Sequence, residues 1–161
     1  MKTSEIQKVL IALDYDPTAE KVAEEGYALA KAMGAEVTLL HVISDPVNYT
    51  APGHITIMGF AGYMEINTLQ ADTADALIKA SMTYLDQSRK HLGDKEIHTL
   101  VEEGDSADTI LKIAKSIHAD VIIMGSHSRK WLENVLMGSV TENVLHHTTI
   151  PLFIVPTKQK K

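Results

Sequence analysis

The chain has 161 residues, a length typical of one domain with a sizeable hydrophobic core. It has no cysteine, which excludes disulfides, thiolate nucleophiles, zinc–cysteine sites and iron–sulfur clusters. Its 15 Lys and Arg against 21 Asp and Glu leave a net charge of −6, which argues against nucleic-acid binding, because that affinity depends on neutralising phosphates.

The first part of the chain predicts a strand followed by a helix. Val9–Leu13 is a short apolar run of the buried-strand type. Asp16 and Pro17 then supply a helix cap and a favourable first helical residue, and Gly34 ends that helix. Gly26 lies on a narrow helix face of small residues, which predicts a close approach of this helix to the sheet.

The middle of the chain predicts a strand, a long connection, a helix and a strand. Val37–Val42 is the second strand, and His41 within it is interpreted as a satisfied polar group of the core. Residues 44–67 contain two Pro and three Gly without a clear period, which favours a long variable loop; its apolar residues indicate that part of it packs. Leu69–Leu92 and Ile97–Val101 predict the next helix and the third strand.

The last third repeats the alternation of helix and strand. A helix follows Gly104–Ser106, and Val121–Met124 is apolar on both faces, which indicates a central strand. A helix around Val140–His147 and a fifth strand at Leu152–Val155 follow, and residues 157–161 form a basic tail.

This order of elements predicts one doubly wound α/β domain over residues 1–161. Its five strands are expected to be parallel, with helices on both faces of the sheet. No apolar run approaches the roughly 18 residues of a membrane-spanning helix, and residues 1–14 do not resemble a signal peptide, so we expect a cytoplasmic protein without a membrane partner.

Candidate binding residues cluster where such sheets bind ligands, beyond the carboxyl ends of the strands. Asp14 follows the first strand and Val42 ends the second. The segment Met124–Arg129 leaves the central strand and leads to Gly138 and Ser139.

The residues around this segment suit a phosphate. Gly125 allows a sharp turn, and Ser139 and Glu142 have the spacing of a capping box at a helix start. A helix N-terminus with Arg129 nearby would attract an anion. Two ordinary loop turns are the alternative interpretation.

The pattern Gly125-x-x-Ser128-x9-Gly138-Ser139 closely resembles the nucleotide-binding motif of the universal stress protein family, Gly-x-x-Gly-x9-Gly-Ser/Thr. The likeness covers almost the whole chain outside residues 44–67. It extends to the following segments: Val9–Asp14, His41–Val42, Asp120–His127, Gly138–Val144 and Ile150–Val155.

The resemblance implies a sheet of order 3-2-1-4-5 that binds ATP or AMP, with Mg²⁺ accompanying the phosphates. Asp14 would face the adenosine, and the backbone of Val42 would hold adenine. The residues implied at the site are Ala12, Leu13, Asp14, Val42, Met124, Gly125, Ser128, Arg129, Gly138, Ser139 and Val140.

Two features leave alternatives open. Ser128 replaces the second glycine of the motif, so its hydroxyl could donate to a phosphate or its side chain could crowd the turn. The sequence has no Gly-x-x-x-x-Gly-Lys-Ser/Thr phosphate loop and no Gly-x-Gly-x-x-Gly or Gly-x-Ser-x-Gly motif, so we expect a nucleotide-dependent regulatory protein and not an enzyme. A slow ATP hydrolase and a nucleotide-free interaction protein of the stress response are the alternatives.

The fifth strand predicts a homodimer. Leu152–Val155 has four consecutive apolar residues, and in the family's strand order it lies at a sheet edge. Antiparallel pairing with the same strand of a second copy would cover that edge. A monomer whose edge is covered by residues 55–64 is the alternative.

Overall fold

A parallel sheet of five strands organises the chain in the computed structural model, which describes residues 5–14, 18–44, 50–51, 54–59, 62–67, 73–126 and 137–157. The strands are β1 (Lys8–Ala12), β2 (Glu36–Ile43), β3 (Thr50–Ala51), β4 (His54–Gly59), β5 (Gly62–Asn67), β6 (His98–Glu103), β7 (Val121–Gly125) and β8 (Leu152–Val155). The helices are α1 (Ala19–Ala32), α2 (Thr73–Leu92), α3 (Ser106–Ser116) and α4 (Ser139–His147).

The order of the parallel sheet is β6-β2-β1-β7-β8, which confirms the predicted fold and its 3-2-1-4-5 topology. Successive residues of the strands point to opposite faces, so each strand contributes to two cores. Ile11 and Leu39 belong to the core under α1 and α2, whereas Leu10 and Leu40 belong to the core under α3 and α4. The sheet is thus buried on both sides, as its aliphatic sequence requires.

The amino end of β1 is fixed by one carboxylate. Asp120, just before β7, accepts hydrogen bonds from the backbone N–H groups of Gln7 and Lys8, each at 2.9 Å. These two donors stabilise the charged carboxylate and hold the pKa of Asp120 below its usual value. The central pair of strands therefore begins at a defined register.

Helix α1 approaches the sheet at Gly26, as the sequence predicted. A Cβ atom built on Gly26 would lie 3.1 Å from Cδ1 of Ile11 and 3.2 Å from Cγ2 of Ile123. The helix ends at the predicted place, because Gly34 has a φ of +66°, which residues with a side chain rarely adopt. Its start differs: α1 begins at Ala19 after Thr18, and Asp16 and Pro17 lie outside the described residues.

The prediction of one long loop over residues 44–67 was wrong. The strands β3, β4 and β5 form a separate antiparallel sheet in this segment, and β4 lies alongside α2. Two of the glycines that suggested a loop, Gly59 and Gly62, stand at strand ends and pair with each other. Isoleucines 55 and 57 alternate with polar residues in β4, a strand signal that the glycines and prolines outweighed.

The predicted basic tail, residues 157–161, includes one residue that the structure describes, Thr157. Thr157 is buried, and its backbone N–H donates to Oγ of Ser126 at 3.0 Å. It therefore belongs to the folded domain, and the tail can begin only after it.

The close approach at Gly26 predicts the effect of a larger residue there. Gly26→Val should lower the free energy of unfolding by about 1–3 kcal/mol, because its methyl groups must displace the side chains of Ile11 and Ile123. Glu25→Val, on the exposed side of the same helix, is the matched control and should change it far less. Urea denaturation measures both, and equal effects would contradict the packing argument.

Candidate functional site

The carboxyl edge of the sheet opens where β1 ends before β2. Over the described residues, the last ladder bond between them joins the N–H of Leu13 to the carbonyl of Leu40 at 2.8 Å, whereas β2 continues to Ile43. Alternate residues of β2 direct their backbone groups to opposite neighbours: Leu40 bonds toward β1, and the carbonyl of Ile43 bonds to Gly104 beyond β6. The backbone N–H and C=O of Val42 therefore point to the side on which β1 has ended.

The other wall of this opening is the contact between β7 and the start of α4. The N–H of Gly138 donates to the carbonyl of Ser126 at 2.6 Å. The hydroxyl of Thr141 donates to the carbonyl of Gly125 at 2.8 Å. These two bonds hold the N-terminus of α4 against the end of β7, across β1 from Val42.

The predicted capping box at Ser139 is wrong. Gly138 is the N-cap, with an extended backbone of φ −66° and ψ 155°, and Ser139 is the first residue of the helix and is exposed. Because glycine has no side chain, the cap contributes no acceptor to the N–H groups of the first turn.

A second pair of hydroxyls secures the end of β7. Oγ of Ser126 lies 3.2 Å from Oγ1 of Thr157, and the N–H of Ser126 donates to the carbonyl of Val155 at 3.0 Å. Both side chains are buried. The chain after β8 is therefore tied to the same turn that approaches α4.

Two buried rings lie beneath the end of β1. His41 is 1% exposed, and its Nδ1 lies 2.7 Å from the carbonyl of Leu13. Tyr84 of α2 is 2% exposed and donates its hydroxyl to the carbonyl of Asp14 at 2.9 Å. The two rings meet edge to face, with centroids 6.2 Å apart. His41 is thus a core residue whose Nδ1 is hydrogen-bonded, as the sequence indicated, whereas its buried Nε2 accepts no hydrogen bond from the described residues.

The burial of His41 determines its charge. Desolvation lowers its pKa from 6.5 to about 4, against an opposing contribution from the bond to Leu13. The ring is therefore neutral at physiological pH. Because a carbonyl oxygen only accepts, the proton must be on Nδ1.

The structure brings nine of the predicted site residues to one edge of the sheet. Ala12, Leu13 and Asp14 lie at the end of β1, Val42 in β2, Met124 and Gly125 at the end of β7, and Gly138, Ser139 and Val140 at the start of α4. Ser128 and Arg129 lie outside the described residues.

Sequence reasoning missed three residues that shape this edge, namely Tyr84, Thr141 and Thr157, whereas Ser126 lies within the predicted segment Met124–Arg129. Tyr84 lies on the buried face of α2, at helical spacing from Leu77, Ser81 and Ser88, and nothing in the sequence connects that face to Asp14. Thr141, by contrast, stands two residues after Ser139, and its place in the first turn of a helix beside Gly125 could have indicated it.

Comparison with known proteins identifies the family. A model of the universal stress protein family matches residues 5–156. The chain belongs to the universal stress protein family. Universal stress protein MJ0577 of Methanocaldococcus jannaschii is 29% identical over 155 residues, covering 94% of this chain and 96% of that protein. The solved structure of MJ0577 has a TM-score of 0.74 at 26% identity, covering 98% of this chain and all of that one.

More distant solved structures of universal stress proteins share the fold. One, in complex with cAMP, has a TM-score of 0.63 at 18% identity and covers 96% of this chain and 100% of that one. Another, from Archaeoglobus fulgidus in complex with dAMP, has a TM-score of 0.57 at 16% identity, with coverages of 94% and 98%.

Over the part of the chain that the structure describes, no three His, Cys, Asp or Glu side chains come together as a metal site. None of the helices over the described part of the chain combines the length and hydropathy that a membrane-spanning segment needs.

The lowered pKa of His41 predicts a pH dependence of stability. Between about pH 6.5 and 4, His41 is protonated in the unfolded chain but neutral in the folded chain. The free energy of unfolding should therefore fall as the pH drops through this window, by about 3 kcal/mol in total, since each pKa unit corresponds to about 1.4 kcal/mol.

The variant His41→Asn isolates this contribution, because asparagine does not titrate and its amide nitrogen can replace Nδ1 as the donor. Urea unfolding at intervals of half a pH unit should give the variant a flatter profile from pH 6.5 to 4. Parallel profiles for the two proteins would show that another group causes the dependence.

Proposed function

We propose that this protein binds an adenine nucleotide, ATP or AMP, at the carboxyl edge of its sheet and acts as a nucleotide-dependent regulatory protein of the stress response. One observation carries the proposal. The backbone of Val42 and the N-terminus of α4 face the same opening, above the end of β1. This is the topological switch point of a doubly wound sheet, where such folds bind nucleotides.

The adenine end of the ligand fits the side of Val42. An N–H donor and a C=O acceptor on one residue match the acceptor and donor on the edge of adenine. Asp14 follows the end of β1 at the same edge of the sheet, and its side chain would accept hydrogen bonds from the ribose hydroxyls. Ala12, Leu13 and Met124 would supply the adjoining backbone and apolar surface.

The phosphate end fits the start of α4. The first-turn N–H groups of a helix carry a partial positive charge and bind anions. Gly138, as the cap, lets a phosphate approach the backbone closely, and Gly125, Ser139 and Val140 adjoin it. We place Ser128 and Arg129 beside the phosphates on the motif alone. Mg²⁺ would travel with the phosphates of ATP.

The comparisons support the class of ligand. The two more distant family members described above are complexes with cAMP and dAMP, both adenine nucleotides. At identities of 18% and 16%, the likeness of these proteins to this chain extends to the fold alone. The proposal that this chain binds adenine therefore rests on the placement of Val42. We propose a binding role in which ATP hydrolysis is slow or absent.

We also propose a homodimer through β8. This strand is at the edge of the sheet, and Phe153 within it is 44% exposed. Ile122 and Ser126 donate to the carbonyls of Pro151 and Val155, so the odd-numbered residues of β8 bond to β7. The backbone groups of Leu152 and Ile154 therefore point away from the sheet, where a second copy could pair with them.

The phosphate end of the site is tested with Gly138→Val. Its extended backbone conformation suits valine, but the branched side chain would occupy the space in front of the first-turn N–H groups. Calorimetry should show at least a hundredfold loss of ATP affinity with little change in thermal stability. Asn143→Val, an exposed residue later in the same helix, is the control and should bind normally. Unchanged ATP affinity in Gly138→Val would refute the site. If Gly138→Val no longer binds ATP, any ATP hydrolysis in its preparations comes from a contaminating enzyme.

The dimer is tested with Ile154→Pro. Proline removes the N–H that points outward and leaves the hydrogen bonds to β7 in place. The variant should be folded and monomeric by light scattering. Ile154→Val keeps the N–H and should remain dimeric. A folded, dimeric Ile154→Pro protein would place the interface elsewhere.

A further inference from the structure

We infer that His41 and Tyr84 are positioning residues for the proposed nucleotide site, which they serve by fixing the two carbonyl groups at which β1 ends. This inference rests on the proposed function, because it assigns these residues a role in the affinity of that site.

The role of His41 follows from the β1–β2 ladder. In a parallel ladder the N–H of Val42 would next bond to the carbonyl of Leu13, just as the N–H of Leu13 bonds to Leu40. That carbonyl instead lies 2.7 Å from Nδ1 of His41. The imidazole thus binds and orients the carbonyl at which the ladder stops over the described residues. The backbone of Val42 points to the side on which β1 has ended.

Tyr84 holds the next carbonyl group along the chain, that of Asp14. Its hydroxyl donates to the carbonyl of Asp14 at 2.9 Å. Fixing this peptide group also fixes the direction in which the Asp14 side chain leaves the backbone. Two consecutive carbonyls are therefore held by two side chains from different elements, β2 and α2.

The pair acts from beneath the site. Both rings are almost fully buried, on the side of the sheet covered by α1 and α2. The edge-to-face contact between them limits the rotation of each ring, so either one helps to orient the other. They act on the nucleotide through the backbone of residues 13 and 14.

The test compares matched hydroxyl deletions on one helix. Tyr84→Phe keeps the ring and removes the hydroxyl that donates to Asp14. Ser81→Ala removes an equally buried hydroxyl of α2, whose bond goes to the carbonyl of Leu77 in its own helix. Each variant is assayed at least 10 °C below its melting temperature, so that all the protein is folded.

Calorimetry should show that Tyr84→Phe weakens the binding of ATP and of AMP by the same factor, about tenfold. Equal factors are expected because the change affects the adenosine end and leaves the phosphate end intact. Ser81→Ala should bind both nucleotides normally. Equal losses in Tyr84→Phe and Ser81→Ala, or no loss in either, would overturn the positioning role.

A second pair of variants tests His41. Asparagine places its amide nitrogen near the position of Nδ1, whereas glutamine places it near Nε2. His41→Asn should keep most of the affinity, and His41→Gln should lose about tenfold. Equal affinities in the two variants would contradict a role for the Nδ1 donor.

A readout without nucleotide separates this inference from the proposed function. Exchange of the Leu13 amide hydrogen should be faster in Tyr84→Phe and His41→Gln than in the wild type and Ser81→Ala. Failure of the wild type to bind ATP or AMP would overturn the proposed function and the affinity role with it. Unchanged exchange at Leu13 would show that the rings do not hold the end of β1. Normal binding by Tyr84→Phe in a wild-type protein that binds would overturn the positioning role alone.

Discussion

The early end of β1 is the constraint on which the rest of this structure depends. β1 is the middle strand of the sheet, and a parallel sheet with a full-length middle strand would present a closed edge of paired backbone. Over the described residues the ladder stops at the bond between Leu13 and Leu40, while β2 continues to Ile43 and β7 ends at Gly125. The gap that results is lined by backbone from both neighbours, and α4 begins beside it.

Most of the fold could be predicted from the sequence because its signals are local. The run Val121–Met124 is apolar at every position, which only a strand buried on both faces requires. Gly26 was explained by close packing of α1 on the sheet and Gly34 by a positive φ, and the structure shows each of these features. Segment 44–67 was misinterpreted because glycine and proline are ambiguous: they mark the ends of short strands as readily as they mark loops.

The site was predictable as a set of positions but not as a set of bonds. The edge residues Asp14, Val42 and Gly125 follow from where each strand ends, which the apolar runs determine. The bonds of His41 and Tyr84 join residues 28 and 70 positions apart, and no pattern within either segment encodes the pairing. The prediction of the α4 N-cap was wrong for a related reason. Ser139 and Gly138 both suit an N-cap, and the bond from Gly138 to Ser126, just after β7, decides between them.

The hydrogen bonds to Asp120 restrict where residues can be inserted into or deleted from this chain during evolution. Side chains fix β1 at both ends, through the N–H groups of Gln7 and Lys8 at one and the carbonyls of Leu13 and Asp14 at the other. Each added residue would lengthen the strand by about 3.3 Å and would turn every following side chain to the opposite face. Insertions and deletions should therefore be absent between Gln7 and Asp14 among functional relatives, even where the amino acids themselves have diverged.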